Sequence, residues 1–150
     1  MTNQTPPTTR TDVSICACAN LRKATRAVTQ VYDTALRPTG LKATQFTLLA
    51  TLATLGDSPL TRLAEAMVMD RTTLTRNLKP LIAKGYVRVA EGDDQRVKNI
   101  GLTESGRAAY DGALPQWREA QSRFVEELGP DRWQGLLDGI GGAVAVARDA

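Results

Sequence analysis

Histidine is absent from this chain. That removes imidazole acid–base chemistry, Ser–His and Cys–His nucleophile pairs, and the commonest metal ligand. Cysteine occurs only twice, at Cys16 and Cys18, too few for a disulfide framework. Neither a Gly-rich phosphate loop nor a nucleophile motif is present. With these tools missing, no enzyme, no cofactor and no metal site is expected. No run approaches the roughly 20 consecutive apolar residues of a membrane helix. The stretch from Met1 to Asp12 is polar, rich in Thr and Pro, and lacks the apolar region of a secretory signal. A cytoplasmic protein without membrane contact is expected.

What is there describes an ordinary soluble domain. The chain has 150 residues, 42% of them apolar and 23% charged, enough for one real core. The net charge is +3, but its distribution says more. Residues 1–102 hold 14 basic and 8 acidic residues, whereas 103–150 hold 5 and 8. Between Arg71 and Ala90 stand Arg71, Arg76, Lys79, Lys84 and Arg88, with no acid among them. A basic middle suits a polyanion, and it equally suits a solvated helix face.

Periodicity divides the chain. Residues 1–11 read as a disordered tail and 12–150 as a single domain. Asp12 is placed to cap a long first helix over about 12–37, with Val13, Ala17, Leu21, Ala24, Val28, Val31 and Ala35 on one stripe. A second helix fits Thr44–Leu55, with Phe46, Leu49, Leu52 and Ala53 on one face. A short third helix follows Thr61 as its cap. Asp70 caps a fourth, carrying Leu74, Leu78, Leu81 and Ile82, which ends at Gly85. Pro80 inside it implies a local kink. The period then changes. Tyr86–Val89 and Val97–Leu102 read as two strands of a hairpin around a polar turn. Thr103 caps a long helix that Pro115 bends or breaks, and a last helix starts at Asp131. Gly139, Gly141 and Gly142 weaken that last helix unless other helices approach it closely.

The order of two short helices, a helix and a hairpin is that of a winged helix-turn-helix, mainly α with a small β-hairpin wing. It covers about 44–102, between long helices at about 12–37 and 103–148. The segment Leu60 to Val87 resembles the helix-turn-helix of the MarR family. The run Asp94-Gln-Arg96-Val-Lys-Asn-Ile-Gly-Leu102-Thr-Glu-Ser-Gly106 resembles its wing and exit helix, and Leu41 to Phe46 the start of its second helix. The resemblance spans about 13–147. Lys42 departs from it, standing where the family often has a capping Thr. The resemblance implies a homodimeric repressor built on its long terminal helices, with Val13, Ile15, Trp117, Trp133, Leu136, Leu137 and Ile140 as candidate interface residues.

Groove entry needs short polar side chains, and Arg or Lys for phosphates and guanine edges. Arg71, Thr72, Thr73, Thr75, Arg76 and Lys79 supply them on the fourth helix. In the wing, Arg96 suits a narrow minor groove, and Lys98 and Arg88 suit the backbone. The resemblance implies that Asp94 orients Arg96 through a carboxylate–guanidinium pair. It also implies a small aromatic or phenolic effector, for which Arg22, Arg26, Tyr32, Phe46 and Trp117 are candidate pocket residues. Cys16 and Cys18 offer an alternative, a thiol- or redox-responsive repressor. Two small buried residues are the plainer expectation for them, and a pair at i, i+2 within an intact helix cannot easily bond to each other. A DNA-architectural or helical interaction protein without an effector is the third reading.

Overall fold

A computed structural model of the chain describes residues 12–150. The tail 1–11, expected to be disordered, lies outside the described residues. A short 3-10 turn, Val13–Ile15, precedes six helices and three strands. These are α1 (Ala17–Leu36), α2 (Ala43–Leu55), β1 (Ser58–Pro59), α3 (Leu60–Met67), α4 (Arg71–Ala83), β2 (Val87–Glu91), β3 (Lys98–Leu102), α5 (Glu104–Leu128) and α6 (Pro130–Asp149).

The start of α1 differs from expectation. The Asp12 carboxylate accepts the Ser14 N–H at 2.9 Å, so it closes only the 3-10 turn. This local bond competes with helix initiation. Cys16 is then extended, with φ −71° and ψ 120°, and the helix begins at Ala17. Leu36 is the one α1 residue that is fully buried. The next junction solves the problem posed by Lys42. Gln45 Oε1 accepts the Lys42 N–H at 3.1 Å, and Asp33 Oδ1, reaching over from α1, accepts the Ala43 N–H at 2.7 Å. A carboxylate from another helix thus stands in for the missing Thr at the head of α2.

The core lies where α2, α3, α4 and the sheet meet α5. Phe46, Leu48, Leu49 and Leu52 of α2 pack with Leu63, Leu74, Leu78, Leu81, Val87, Ile100 and Ala113. Each large side chain sealed there contributes about 1.5–3 kcal/mol of burial. Ile82 does not join them and is exposed. At eight residues beyond Leu74 it lies about 80° round the helix from Leu74, at the outer edge of the stripe that Leu78 and Leu81 share with it.

The sheet has a strand that periodicity did not reveal. β1 pairs with β3 through Ser58 with Ile100 and Pro59 with Asn99, giving the antiparallel order β1-β3-β2. Two residues are too few to show alternation. Since Pro59 leads directly into α3, Thr61 falls inside that helix and is not its cap. The hairpin forms as expected, running from Val87 opposite Leu102 to Glu91 opposite Lys98. Thr103 caps α5, its hydroxyl accepting the Gly106 N–H at 3.0 Å. Neither internal proline breaks its helix: α4 continues through Pro80 and α5 through Pro115.

α6 follows Gly129, at φ 92°, and has no buried residue. A Cβ added at Gly139, Gly141 or Gly142 would meet nothing within 4 Å. The close helix approach expected at these glycines is therefore not made among the described residues. No helix of the described residues is long and apolar enough to cross a membrane.

Candidate nucleic-acid interface

The turn between α3 and α4 aims the fourth helix. Val68 adopts φ 52°, an uncommon conformation for a β-branched residue. The Val68 N–H bonds Glu65 O at 3.1 Å and the Met69 N–H bonds Ala64 O at 2.9 Å, closing α3 tightly. Asp70 then caps α4 as expected. Its carboxylate accepts the Thr73 N–H at 2.8 Å and the Thr73 hydroxyl at 2.7 Å. These two bonds hold the Asp70 carboxyl below the usual aspartate range.

The cap sorts the predicted contact residues. With Leu74, Leu78 and Leu81 inward, Arg71, Thr72, Thr75, Arg76 and Lys79 line one open cleft on the opposite face. Their spacing of i, i+1, i+4, i+5 and i+8 is a single helical stripe. Thr73 is different, because its hydroxyl is engaged by Asp70. The Thr75 hydroxyl donates to Arg71 O at 2.7 Å, leaving its methyl group exposed on the stripe.

In the wing, Asp94 Oδ1 accepts the backbone N–H of Arg96 at 3.0 Å, and Asp94 O accepts the Val97 N–H at 2.8 Å. The expected carboxylate–guanidinium pair between Asp94 and Arg96 is not formed. The ion pairs among the described residues are Arg88–Asp57 and Arg123–Glu127. An aspartate two residues before its partner reaches the nearer backbone N–H and shapes the turn. Arg96 and Lys98 are exposed. Arg88 is engaged, its guanidinium bonding Asp57 at 2.5 Å. Lys84, part of the basic run, donates to Gly40 O at 3.0 Å and so ties the end of α4 to the α1–α2 connection.

Away from this face, Tyr32, Phe46 and Trp117 come together around a cleft of about 240 Å³ that Val28, Ala43 and Gln121 also line. The Phe46 and Trp117 rings stack, with centroids 5.7 Å apart and planes 18° from parallel. The Tyr32 hydroxyl donates to Gln121 Oε1, and burial raises the Tyr32 phenol above its ordinary value. Arg22 and Arg26 are exposed on α1 and do not line this cleft. A larger cleft of about 570 Å³ opens between α1 and α5, walled by Val31, Ala35, Ala120 and Phe124. Gln116, which also lines it, has a buried Oε1 with no donor among the described residues. Cys16 and Cys18 are both exposed, which overturns the expectation of buried packing residues. Because Cys16 precedes the helix, the geometric bar to their bonding, which assumed an intact helix, does not hold.

A helix-turn-helix with a basic, solvent-facing second helix, followed by a two-stranded wing, defines a winged helix-turn-helix protein. The MarR family model matches residues 41–98. An uncharacterized HTH-type transcriptional regulator of Bacillus cereus is 31% identical over 119 residues, 78% of this chain and 78% of its own. The M. tuberculosis transcriptional regulator MosR, solved in complex with DNA, is 42% identical, with a TM-score of 0.78 over 89% of this chain and 98% of that one. The PcaV regulator of Streptomyces coelicolor, solved with its natural ligand, shares the fold at 17% identity, with a TM-score of 0.80 over 92% of this chain and 98% of its own. The chain belongs to the MarR family of DNA-binding transcriptional regulators.

Proposed function

We propose that this regulator is a cytoplasmic homodimeric repressor that binds a pseudo-palindromic operator. The observation that carries the reading is the open stripe of Arg71, Thr72, Thr75, Arg76 and Lys79 on α4. Arg96 and Lys98 in the exposed wing extend it. The likeness to MosR, which was solved on DNA, supports it. One such helix reads only a half-site, whereas two copies about 34–36 Å apart read a near-palindrome. The apolar surface favours a second copy. Val13 and Ile15 are 64% and 83% exposed, and Leu136, Leu137 and Ile140 are exposed along α6.

The cleft of Tyr32, Phe46 and Trp117 suits a small aromatic or phenolic effector, which its rings would stack and the Tyr32–Gln121 pair would orient. A ligand that prefers the DNA-free spacing of the two α4 helices would release the operator by population shift. In a titration against the DNA upstream of its own gene, Arg76→Ala is expected to weaken binding roughly tenfold or more. Arg96→Ala is expected to weaken it and to lower the slope of log affinity against log salt by about one. Binding that is equal on a scrambled duplex would instead favour an architectural protein.

A second reading rests on the exposure of both cysteines. Exposed thiols are open to oxidants. Peroxide that releases wild-type protein from DNA, but not Cys16→Ser or Cys18→Ser, would establish thiol control. Release by an aromatic acid with both serine variants still responsive would establish the ligand.

A further inference from the structure

The face of the sheet carries an ion pair that strand geometry alone does not require. Asp57 stands one residue before β1, and the register of Ser58 with Ile100 places it beside Gly101. Gly101 in turn pairs with Arg88 on β2. Asp57, Gly101 and Arg88 therefore form one row across three strands. Neighbouring strands lie about 4.8 Å apart, so the outer two residues of such a row are roughly 10 Å apart at their backbones. A side chain at the centre would separate them. Glycine leaves the centre empty, and the Arg88 guanidinium meets the Asp57 carboxylate there at 2.5 Å. A Cβ built on Gly101 would lie 2.2 Å from Asp57 Oδ1 and 3.1 Å from an Arg88 nitrogen. The glycine makes the contact possible.

This contact lies outside the core that Val87 and Ile100 share with Leu63 and Leu74, at an edge where the backbone pairing is short. β1 pairs with β3 through only two residues, and one of them, Pro59, has no N–H to donate. α3 begins at the very next residue, Leu60. β2 and β3 carry the wing. We propose that Asp57 and Arg88, meeting over Gly101, are positioning residues that set the angle of the wing against the helix-turn-helix, so that Arg96 and α4 engage one duplex together. Arg88 then acts through Asp57 and not as a phosphate contact. The proposal rests on the DNA-binding reading of α4 and the wing. The side chains are 46% and 57% exposed, so the pair biases an angle without anchoring the fold, and its removal changes affinity by up to about fivefold.

The test uses the full chain, a duplex of about 30 base pairs (~100 Å, ample for two half-sites centred ~34–36 Å apart) selected from random sequence by the wild-type protein, and a scrambled duplex. Asp57→Asn and Arg88→Ala are each expected to weaken binding to the selected duplex about two- to fivefold. The double variant is expected to be no weaker than either single, and the salt slope to stay at its wild-type value. Gly101→Ala should reproduce the loss. The exchange of Asp57→Arg with Arg88→Asp should recover much of it. Binding to the scrambled duplex and thermal melting should hardly change. If Arg88→Ala lowers the salt slope by about one and Asp57→Asn strengthens binding, Arg88 is a phosphate contact that Asp57 restrains, and the proposal is overturned. It is also overturned if both variants bind like wild type while Arg96→Ala weakens binding. If Arg96→Ala is silent as well, the wing reading itself fails, and this proposal falls with it.

Discussion

Gly106 sits where the first turn of α5 presses on the end of the α4–β2 connection. A Cβ there would lie 1.9 Å from Tyr86 O, a backbone atom that cannot swing aside. Thr103 fixes this approach from both directions. Its N–H bonds Tyr86 O at 3.1 Å, and its hydroxyl bonds Gly85 O and caps Gly106. The Leu-Thr-x-x-Gly run that closes the wing is thus a packing device, in which the threonine starts a helix and the glycine lets that helix touch the sheet. Gly106→Ala is expected to destabilise the fold by about 2–3 kcal/mol. Urea unfolding would measure it, and a loss below about 0.5 kcal/mol would contradict the account, being no more than an ordinary surface substitution costs. The same scale of reasoning separates Thr73 from Thr72. Both precede Leu74 on the first turn of α4, but of the two hydroxyls only that of Thr73 is held by Asp70.

Elements inherit these local choices. α4 carries the cationic stripe on one face while its other face fills the core, and Pro80 falls in the last turn, past that stripe. There it deprives Arg76 O of its intrahelical donor, yet the helix continues to Ala83. The proline is exposed. Pro80→Ala is therefore expected to raise stability by about 1–3 kcal/mol, seen as a higher melting temperature, with operator affinity unchanged. A loss of stability would mean that the proline rigidifies the unfolded chain more than it strains the helix. α2 illustrates the opposite case, an element completed from outside. Its head is satisfied by Asp33 of α1, a residue ten positions upstream. That bond also ties α1 to the head of α2, so under the proposed dimer a change at α1 would have a direct route into the helix-turn-helix.

The whole molecule leaves one side unfinished. α6 buries nothing, α1 buries only Leu36, and the cleft between α1 and α5 keeps apolar walls open to solvent. A second copy placed there would cover these walls and give α6's glycines the neighbour they lack. The proposed dimer carries a definite expectation. Sedimentation should show a dimer at micromolar concentration, and the melting temperature should rise with concentration. Leu136→Asp with Leu137→Asp should yield a weaker-binding monomer. A monomeric wild type that still reads a palindrome with full affinity would contradict it.

The sequence by itself determined the helices, the hairpin and the α4 stripe. Their signals are periodic and local: Leu74, Leu78 and Leu81 recur at helical spacing, and Asp70 stands where a cap must. It also carried the wing motif. Tertiary structure alone decided which of those polar residues remain free. Asp94 takes a backbone N–H and not the Arg96 guanidinium, Thr73 is spent on a cap, and Arg88 meets Asp57 31 residues away. It alone revealed β1, whose two residues are too short for a period, and it began α1 one residue after Cys16 and left both cysteines exposed. The physical reason is the same in each case. A pattern records which face a residue occupies, whereas its hydrogen-bond partner depends on what the fold brings beside it.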